Sequence, residues 1–412
     1  MQPLSINPSR FREHFEALAV IGATGDGGVH RPALSEAHLS ARRWFKDLIL
    51  ADGFEFSVDG AGNQSARLPC GNPGAKTLLM GSHLDSVPYG GRFDGPLGVL
   101  AAYEVLLTIR DAGIELPVHL EAIDFTDEEG TLVGLLGSRA LARLLKPEDL
   151  ESPRGGRDRL LEGLGRAGLT EDGLFLARRN PESLAGFLEI HIEQGPRLVE
   201  AGLDIGIVDS LVGIGSLEIT FLGRADHAGT TPMGARLDAS LGLAEFTLAA
   251  RRLVMDEFPG CVCNGGKVSV QPGVLNIVPE RAKIWVEYRS PAEDQLETLR
   301  LALIHRAGVS ARVFGLAFEV KDPGRIPTTP CAVLVQGAFA KACDQLGLAS
   351  LKMNSGAGHD TMAMASVCPA GMIFIPSSGG SHSPTEFARH EDCVNGANVL
   401  LHAALELAMR SP

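Results

Sequence analysis

Several protein classes are excluded by what the chain lacks. No stretch approaches the ~18 uninterrupted apolar residues of a bilayer-crossing helix, so no membrane association is expected. The opening MQPLSINPSR has neither the charged start nor the apolar run of a secretory signal, and a soluble cytoplasmic protein is expected. Lys and Arg number 37 against 50 Asp and Glu, for a formal charge of -13, with no dense basic cluster interleaved with aromatics. Nucleic-acid binding is therefore not expected. The seven cysteines (70, 261, 263, 331, 343, 368 and 393) are odd in number and irregular in spacing. They suit neither a disulfide framework nor a paired CxxC zinc site, and most read as small core residues. Internal repeats and low-complexity tracts are also missing.

What is there suffices for one large domain and a smaller one: 412 residues, 45% of them hydrophobic, with 49 glycines. Residues 10 to 53 carry helical patterning, in which Phe15, Leu18 and Ala19, then Ala41, Trp44, Phe45, Leu48 and Ile49, recur at i, i+3, i+4 spacing. Residues 77 to 82 and 118 to 126 read as strands, with an amphipathic segment at 97 to 111 between them. Such a strand-helix-strand unit opens a crevice at the carboxyl ends of its strands. From about 212 to 323 the pattern becomes strand (216 to 223), helix (235 to 254), strand (266 to 270), strand (281 to 289), helix (293 to 307), strand (312 to 320). That β-α-β-β-α-β order predicts a ferredoxin-like α+β sandwich. A helix at 332 to 346, the apolar run MIFIP and a last helix from about 391 then resume the first pattern. The expected architecture is α/β: residues 1 to 211 and 324 to 412 form a domain with a central, mostly parallel sheet flanked by helices, and residues 212 to 323 are inserted.

Five metal-ligand types, His83, Asp94, Glu129, His191 and His382, fall in the segments GSHLDSVPYGGRFDGPLGV, TDEEG, EIHIEQGP and GGSHSPTE. Each segment reads as turn-like, with the ligand type beside Gly, Ser or Pro. His83 and Asp85 alternate along an extended segment, so the histidine can bind a metal while the Asp85 carboxylate takes its other ring N–H. Asp94 has two oxygens with which to bridge two cations. The adjacent carboxylates Glu128 and Glu129 repel unless one is neutralised, so one can coordinate while the other accepts a proton from an attacking water. Taken singly, each has a plain alternative: a hydrogen-bonded surface pair, a turn aspartate, a solvated acidic loop, an ordinary core histidine. Their joint occurrence points to metal-dependent hydrolysis, and Zn, Mn, Co or Ni would suit such N and O ligands.

The motifs IGATGDGGVHRPALSEAHLSARRWF, GSHLDSVPYGGRFDGPLGVL, FTDEEG, GSRAL, HIEQGP, HAGTTPM, GAGHD and SHSPTE run in this order nearly end to end. On them the chain resembles the N-carbamoyl-L-amino acid hydrolase and allantoate amidohydrolase family, the hydantoinase/carbamoylase branch of the dinuclear metallopeptidases. The resemblance implies one metal ion on His83, Asp94 and His191, a second on Asp94, Glu129 and His382, and Glu128 as general base. It also implies a homodimer through the inserted domain, and substrate contacts from Gln194, His227, Asn276, Arg289 and Gly358, with His227 serving the neighbouring subunit's site. A forked guanidinium at Arg289 suits a substrate carboxylate, and His227 suits a developing oxyanion. Peptidase relatives commonly carry an acidic residue where His191 stands. The expected substrate is an N-carbamoyl-L-amino acid, followed by allantoate and a β-ureido acid; a dipeptidase or aminoacylase, or a non-catalytic binding protein, stands further off. Family members often read EEGSRFG before LGSRAL, whereas here the segment is EEGTLVGLLGSRAL, about two residues shorter, so the pocket wall beside Glu129 is expected to differ.

Overall fold

The computed structural model describes residues 3–410, which divide into two compact units. The first takes the chain up to Asp209, then Pro330–Met353, then everything from Gly358 onward. Its sheet runs Glu55–Val58, Gln64–Leu68, His119–Phe125, Thr77–His83, Leu184–Ile192, Ala370–Ile375, Ile205–Leu211 and Thr329–Pro330, with Ser350–Ser355 also on Ile205–Leu211. The four middle strands, His119–Phe125 through Ala370–Ile375, are parallel, and their neighbours on each side join antiparallel. Every residue of Thr77–His83, His119–Phe125 and Ala370–Ile375 is buried, as expected of parallel strands covered on both faces.

Two expectations for this unit need correcting. The helical patterning over 10 to 53 resolves into two helices, Pro8–Ala19 and Glu36–Ala51, separated by an irregular stretch rich in glycine. Asn7 and Ser35 cap them, their side chains accepting the N–H groups of Ser9 and Arg10 and of His38. The segment expected to be amphipathic forms the helix Pro96–Asp111, yet it is buried on all sides from Pro96 to Ile109. It packs on Thr77–His83 and also on the helices Pro8–Ala19 and His390–Arg410, so no face meets water. Its one buried carboxylate, Glu104, is satisfied by Arg10 at 2.9 and 2.7 Å and by the Asn7 N–H at 3.0 Å.

The second unit, Ser210–Thr329 with Asn354–Ala357, holds an antiparallel sheet in the order Ala317–Lys321, Gly213–Leu222, Arg281–Ser290, Val262–Gln271. Helices Ala239–Glu257 and Glu293–Val313 supply the crossovers, and this is the split β-α-β arrangement of a ferredoxin-like sandwich. It has its own core, in which Leu217, Ile219 and Phe221 meet Phe246, Leu299 and Leu303. The last strand starts at Ala317 rather than 312, because Leu303, Ala307 and Ala311 keep a buried helical stripe going to Val313. The helix expected from 235 starts at Ala239, where the Asp238 side chain caps it through the Ser240 N–H. Residues 324 to 329 group with this unit, since Arg325–Ile326 pairs with Gly215 and Ile214. Among the described residues no helix is long and apolar enough to cross a membrane.

Candidate metal centre

The four parallel strands of the first unit each deliver a chemical group from their carboxyl ends. Thr77–His83 ends on His83 and Leu184–Ile192 carries His191 one residue from its end, so these two histidines stand on strands and the turns follow them. Glu128 and Glu129 come from the loop after His119–Phe125, and His382 from the loop after Ala370–Ile375. Asp94 lies between Thr77–His83 and the buried helix. Strand order reverses between Thr77–His83 and Leu184–Ile192, and such a switch point is where an open α/β sheet forms its crevice.

Asp94 joins the groups. Its Oδ1 lies 3.1 Å from His191 Nε2 and 3.6 Å from His83 Nε2; its Oδ2 lies 3.6 Å from His382 Nε2. Glu129 Oε2 is 3.4 Å from His382 Nε2, and Glu128 Oε2 is 3.4 Å from His83 Nε2. Two sets of ligand atoms, His83/Asp94/His191 and Asp94/Glu129/His382, each fit within 4.8 Å. The adjacent glutamates thus face different partners. Gln194 donates from Nε2 to Asp94 Oδ2 at 2.7 Å, and Ser381 Oγ reaches the same oxygen at 3.4 Å. These two residues also line a cavity of about 300 Å³, together with Gly195, Pro196, Val199 and Ser377–Gly380.

The imidazoles are held with their lone pairs toward Asp94. His83 Nδ1 donates to the Asp85 carbonyl at 3.0 Å, and His191 Nδ1 to the Ile192 carbonyl at 3.0 Å, which leaves each Nε2 as the acceptor. The Gly95 N–H indeed donates to His191 Nε2 at 3.2 Å. This corrects the expectation for Asp85: its backbone carbonyl, not its carboxylate, takes the His83 ring proton, because the turn after His83 brings the carbonyl closer than the carboxylate, at 3.8 Å. The Asp85 carboxylate instead accepts the N–H groups of Glu128 (3.3 Å) and Glu129 (3.4 Å).

The charges fit a cation-binding site. Burial, with Asp360, Glu129 and Asp94 nearby, pushes Glu128 well above the carboxylate range against the pull of His83. Burial and Asp94 do the same to Glu129, and burial lifts Asp85 to about 7. Asp94 goes the other way: burial would raise it, but His191 and His83 outweigh that and hold it well below the usual range. Burial also opposes a charged His83, yet Glu128 and Asp94 keep it well above its usual value. So many buried carboxylates require positive charge among them, from protons or from cations. His83 Nε2 is buried without a hydrogen-bond partner and faces the carboxylates of Asp94 and Glu128 at 3.6 and 3.4 Å, a place for a shared proton or a cation. A divalent cation answers all of these demands, and the mixed N and O donors suit Zn, Mn, Co or Ni.

Other expected residues lie outside this cluster. His227 and Asn276 are neighbours in the second unit, where the Ala228 N–H donates to the Asn276 carbonyl at 3.0 Å. His227 Nδ1 accepts from Gly229 (3.1 Å) and Thr230 (3.2 Å), so its ring proton sits on Nε2. Arg289, also in the second unit, gives Nε and Nη2 to Glu287 Oε1 at 2.9 and 2.8 Å and Nη1 to the Gly356 carbonyl at 2.7 Å. Gly358 is in the first unit, directly before His359 and Asp360.

Three groups escaped the sequence reading. Asp127, within TDEEG, accepts the N–H groups of Leu132, Val133 and Gly134 and so shapes the segment after Glu129. His359, within GAGHD, is buried with its ring 4.5 Å from that of His191. Glu386, within SHSPTE, accepts the N–H groups of Phe93 (3.1 Å) and Asp94 (3.2 Å). Each lay inside a quoted motif, but its partners are backbone groups or residues distant in sequence.

Comparison with known proteins identifies the family of the chain. The Peptidase family M20/M25/M40 profile matches residues 79–406. An N-carbamoyl-L-amino acid amidohydrolase of Geobacillus stearothermophilus is 37% identical over 410 residues, covering 98% of this chain and 99% of the relative. A ureidoglycolate hydrolase of Arabidopsis thaliana is 32% identical over 423 residues, covering 98% and 88%. The crystal structure of a hydantoinase/carbamoylase family amidase from Burkholderia multivorans superposes with a TM-score of 0.88 at 32% identity, covering 98% and 99%. Matched over residues 79–406 by the family profile and nearly end to end by such relatives, the chain belongs to the Peptidase M20/M25/M40 family, in its hydantoinase/carbamoylase branch.

Proposed function

We propose that this protein hydrolyses a ureido C–N bond at a centre of two divalent cations, converting an N-carbamoyl-L-amino acid to the L-amino acid, carbon dioxide and ammonia. The observation that carries the reading is Asp94, whose two oxygens serve two separate ligand sets while Glu128, beside them, belongs to neither. His191 and the names of the similar amidohydrolases favour a ureido acid over a peptide.

When bound, the two cations would polarise the ureido carbonyl and make a water molecule more acidic. The His83, Asp94 and His191 set would hold one and the Asp94, Glu129 and His382 set the other. Glu128 accepts a proton from the attacking water and returns it to the leaving nitrogen as the C–N bond breaks. Asp85 keeps Glu128 and Glu129 in place through their N–H groups. His227, with its proton on Nε2, is a donor for the oxyanion of the tetrahedral intermediate in the neighbouring subunit's site. Arg289 reads the substrate carboxylate, which takes the place of Glu287 in the guanidinium fork. Gln194, Asn276 and Gly358 supply the remaining polar contacts. Seven free cysteines suit the reducing cytoplasm.

The test is a panel of N-carbamoyl amino acids, allantoate, β-ureidopropionate, N-acetyl amino acids and dipeptides, offered to the metal-reconstituted protein. Ureido acids should turn over, N-carbamoyl-L-amino acids fastest. Turnover confined to dipeptides or N-acetyl amino acids would overturn the proposal.

A further inference from the structure

His382 is the least supported of the five ligand-type residues. Its side chain is 51% exposed, and its backbone holds φ 55°. The rings of His83 and His191 are braced by the Asp85 and Ile192 carbonyls; among the described residues the His382 ring has no such brace. What places it is the loop on which it rides. That loop closes on itself at its base, where Ser378 and Phe387 exchange N–H···O bonds of 2.8 and 2.9 Å, and Thr385 Oγ1 donates to the Gly379 carbonyl at 2.6 Å. A closed loop is rigid in itself but needs a tether to set its position against Asp94.

Glu386 supplies that tether. It sits at the loop's base, 5% exposed, with its own N–H on the Ser383 carbonyl at 3.0 Å. Its Oε1 accepts two successive backbone N–H groups, those of Phe93 and Asp94, from a segment 292 residues away in sequence. The approach is possible because residue 91 is glycine: a Cβ there would lie 2.0 Å from Glu386 Oε1. The bridging aspartate's backbone and the loop carrying His382 therefore hang on one carboxylate oxygen. The geometry points to Glu386 as a positioning residue that sets His382 against Asp94 and thereby creates the second cation site. This rests on the two-cation reading above. The first site should depend on Glu386 far less, because His83 and His191 stand on strand ends with their own carbonyl braces.

The test is Zn²⁺ titration of the metal-free protein against a chromophoric chelator, with thermal unfolding of the same metal-free samples. Wild type should take up two ions per chain. In Glu386→Ala the weaker equivalent should lose ~10 to 100-fold in affinity, the usual cost of removing a group that orients a ligand, while the tighter one stays largely unchanged. Glu386→Gln keeps an acceptor oxygen for both N–H groups and should stay near wild type. Gly91→Ala, which displaces Glu386 from the other side, should reproduce the Glu386→Ala result. A purely structural role would lower the unfolding temperature of the metal-free protein and leave both affinities alone. Wild-type affinities in both Glu386→Ala and Gly91→Ala, or a Glu386→Gln variant as weak as Glu386→Ala, would overturn the inference while two-ion binding stands. A wild type that binds fewer than two ions would sink the two-cation reading instead, and this inference with it.

Discussion

Asp94 has three imidazole nitrogens within 3.6 Å of its two oxygens, and no other residue of the centre belongs to both ligand sets. Asp94→Ala should therefore release both cations, while Glu129→Ala and His382→Ala should each deplete one. Metal content per chain, measured on the three variants, decides this, and equal loss of a single ion in all three would refute the bridge. At this scale the sequence was readable where a residue's own chemistry announces it: histidines and carboxylates flanked by turn formers have few other uses in such numbers. It was less readable where a backbone group does the work. The His83 ring proton goes to a carbonyl, and every residue has one, so nothing in His-x-Asp separates the Asp85 carbonyl from its carboxylate. Glu386 and Asp127 were hidden for the same reason, since both bind N–H groups.

The helix Pro96–Asp111 begins just after Asp94 and presses on the two strands that carry His83 and His191. Gly98 makes the contact close: a Cβ there would lie 2.6 Å from Ser82 Cβ and 2.7 Å from the Ile190 carbonyl oxygen. The backbone carbonyl cannot turn aside, so Gly98→Ala should push the helix off the strands and cost ~1–3 kcal/mol, the usual range for overpacking a filled core. Thermal or urea unfolding of the metal-free protein checks this, and an unchanged midpoint would show that the helix has slack. Elements with a plain period were legible. Alternation and helical spacing gave the β-α-β-β-α-β order of the second unit and the strands that end at the candidate metal centre. The misreadings arose where tertiary packing overrides period. The 97 to 111 segment reads as amphipathic until three sets of neighbours cover it, and residues 312 to 316 read as strand because the spacing of Ala307 and Ala311 matters only once a partner sheet is present.

At the scale of the molecule, the second unit presents an edge strand, Val262–Gln271, paired on one side only among the described residues, with Val262, Val268 and Val270 exposed. Leu241, Leu248 and Met255 on helix Ala239–Glu257 are exposed as well. An unpaired apolar edge is a template for another strand, and two copies can satisfy each other across a two-fold axis. The protein is accordingly expected to run as a dimer by light scattering at micromolar concentration, and Val268→Lys should shift it toward monomer. A monomeric wild type would contradict this use of the edge. In the sequence the dimer is expected only from the resemblance, because exposed valines on a strand look like ordinary core positions until the fold shows which face is left open.

The central claim is that Glu128 moves the proton in a cation-assisted hydrolysis. The most direct measurement is ammonia release from an N-carbamoyl-L-amino acid by wild type and Glu128→Gln, with the metal content of both determined on the same samples. Glutamine keeps the shape but cannot take the proton, so the variant should hold two ions per chain and lose ~10²-fold or more of the turnover. A fully metallated Glu128→Gln protein within a few-fold of wild type would contradict the account.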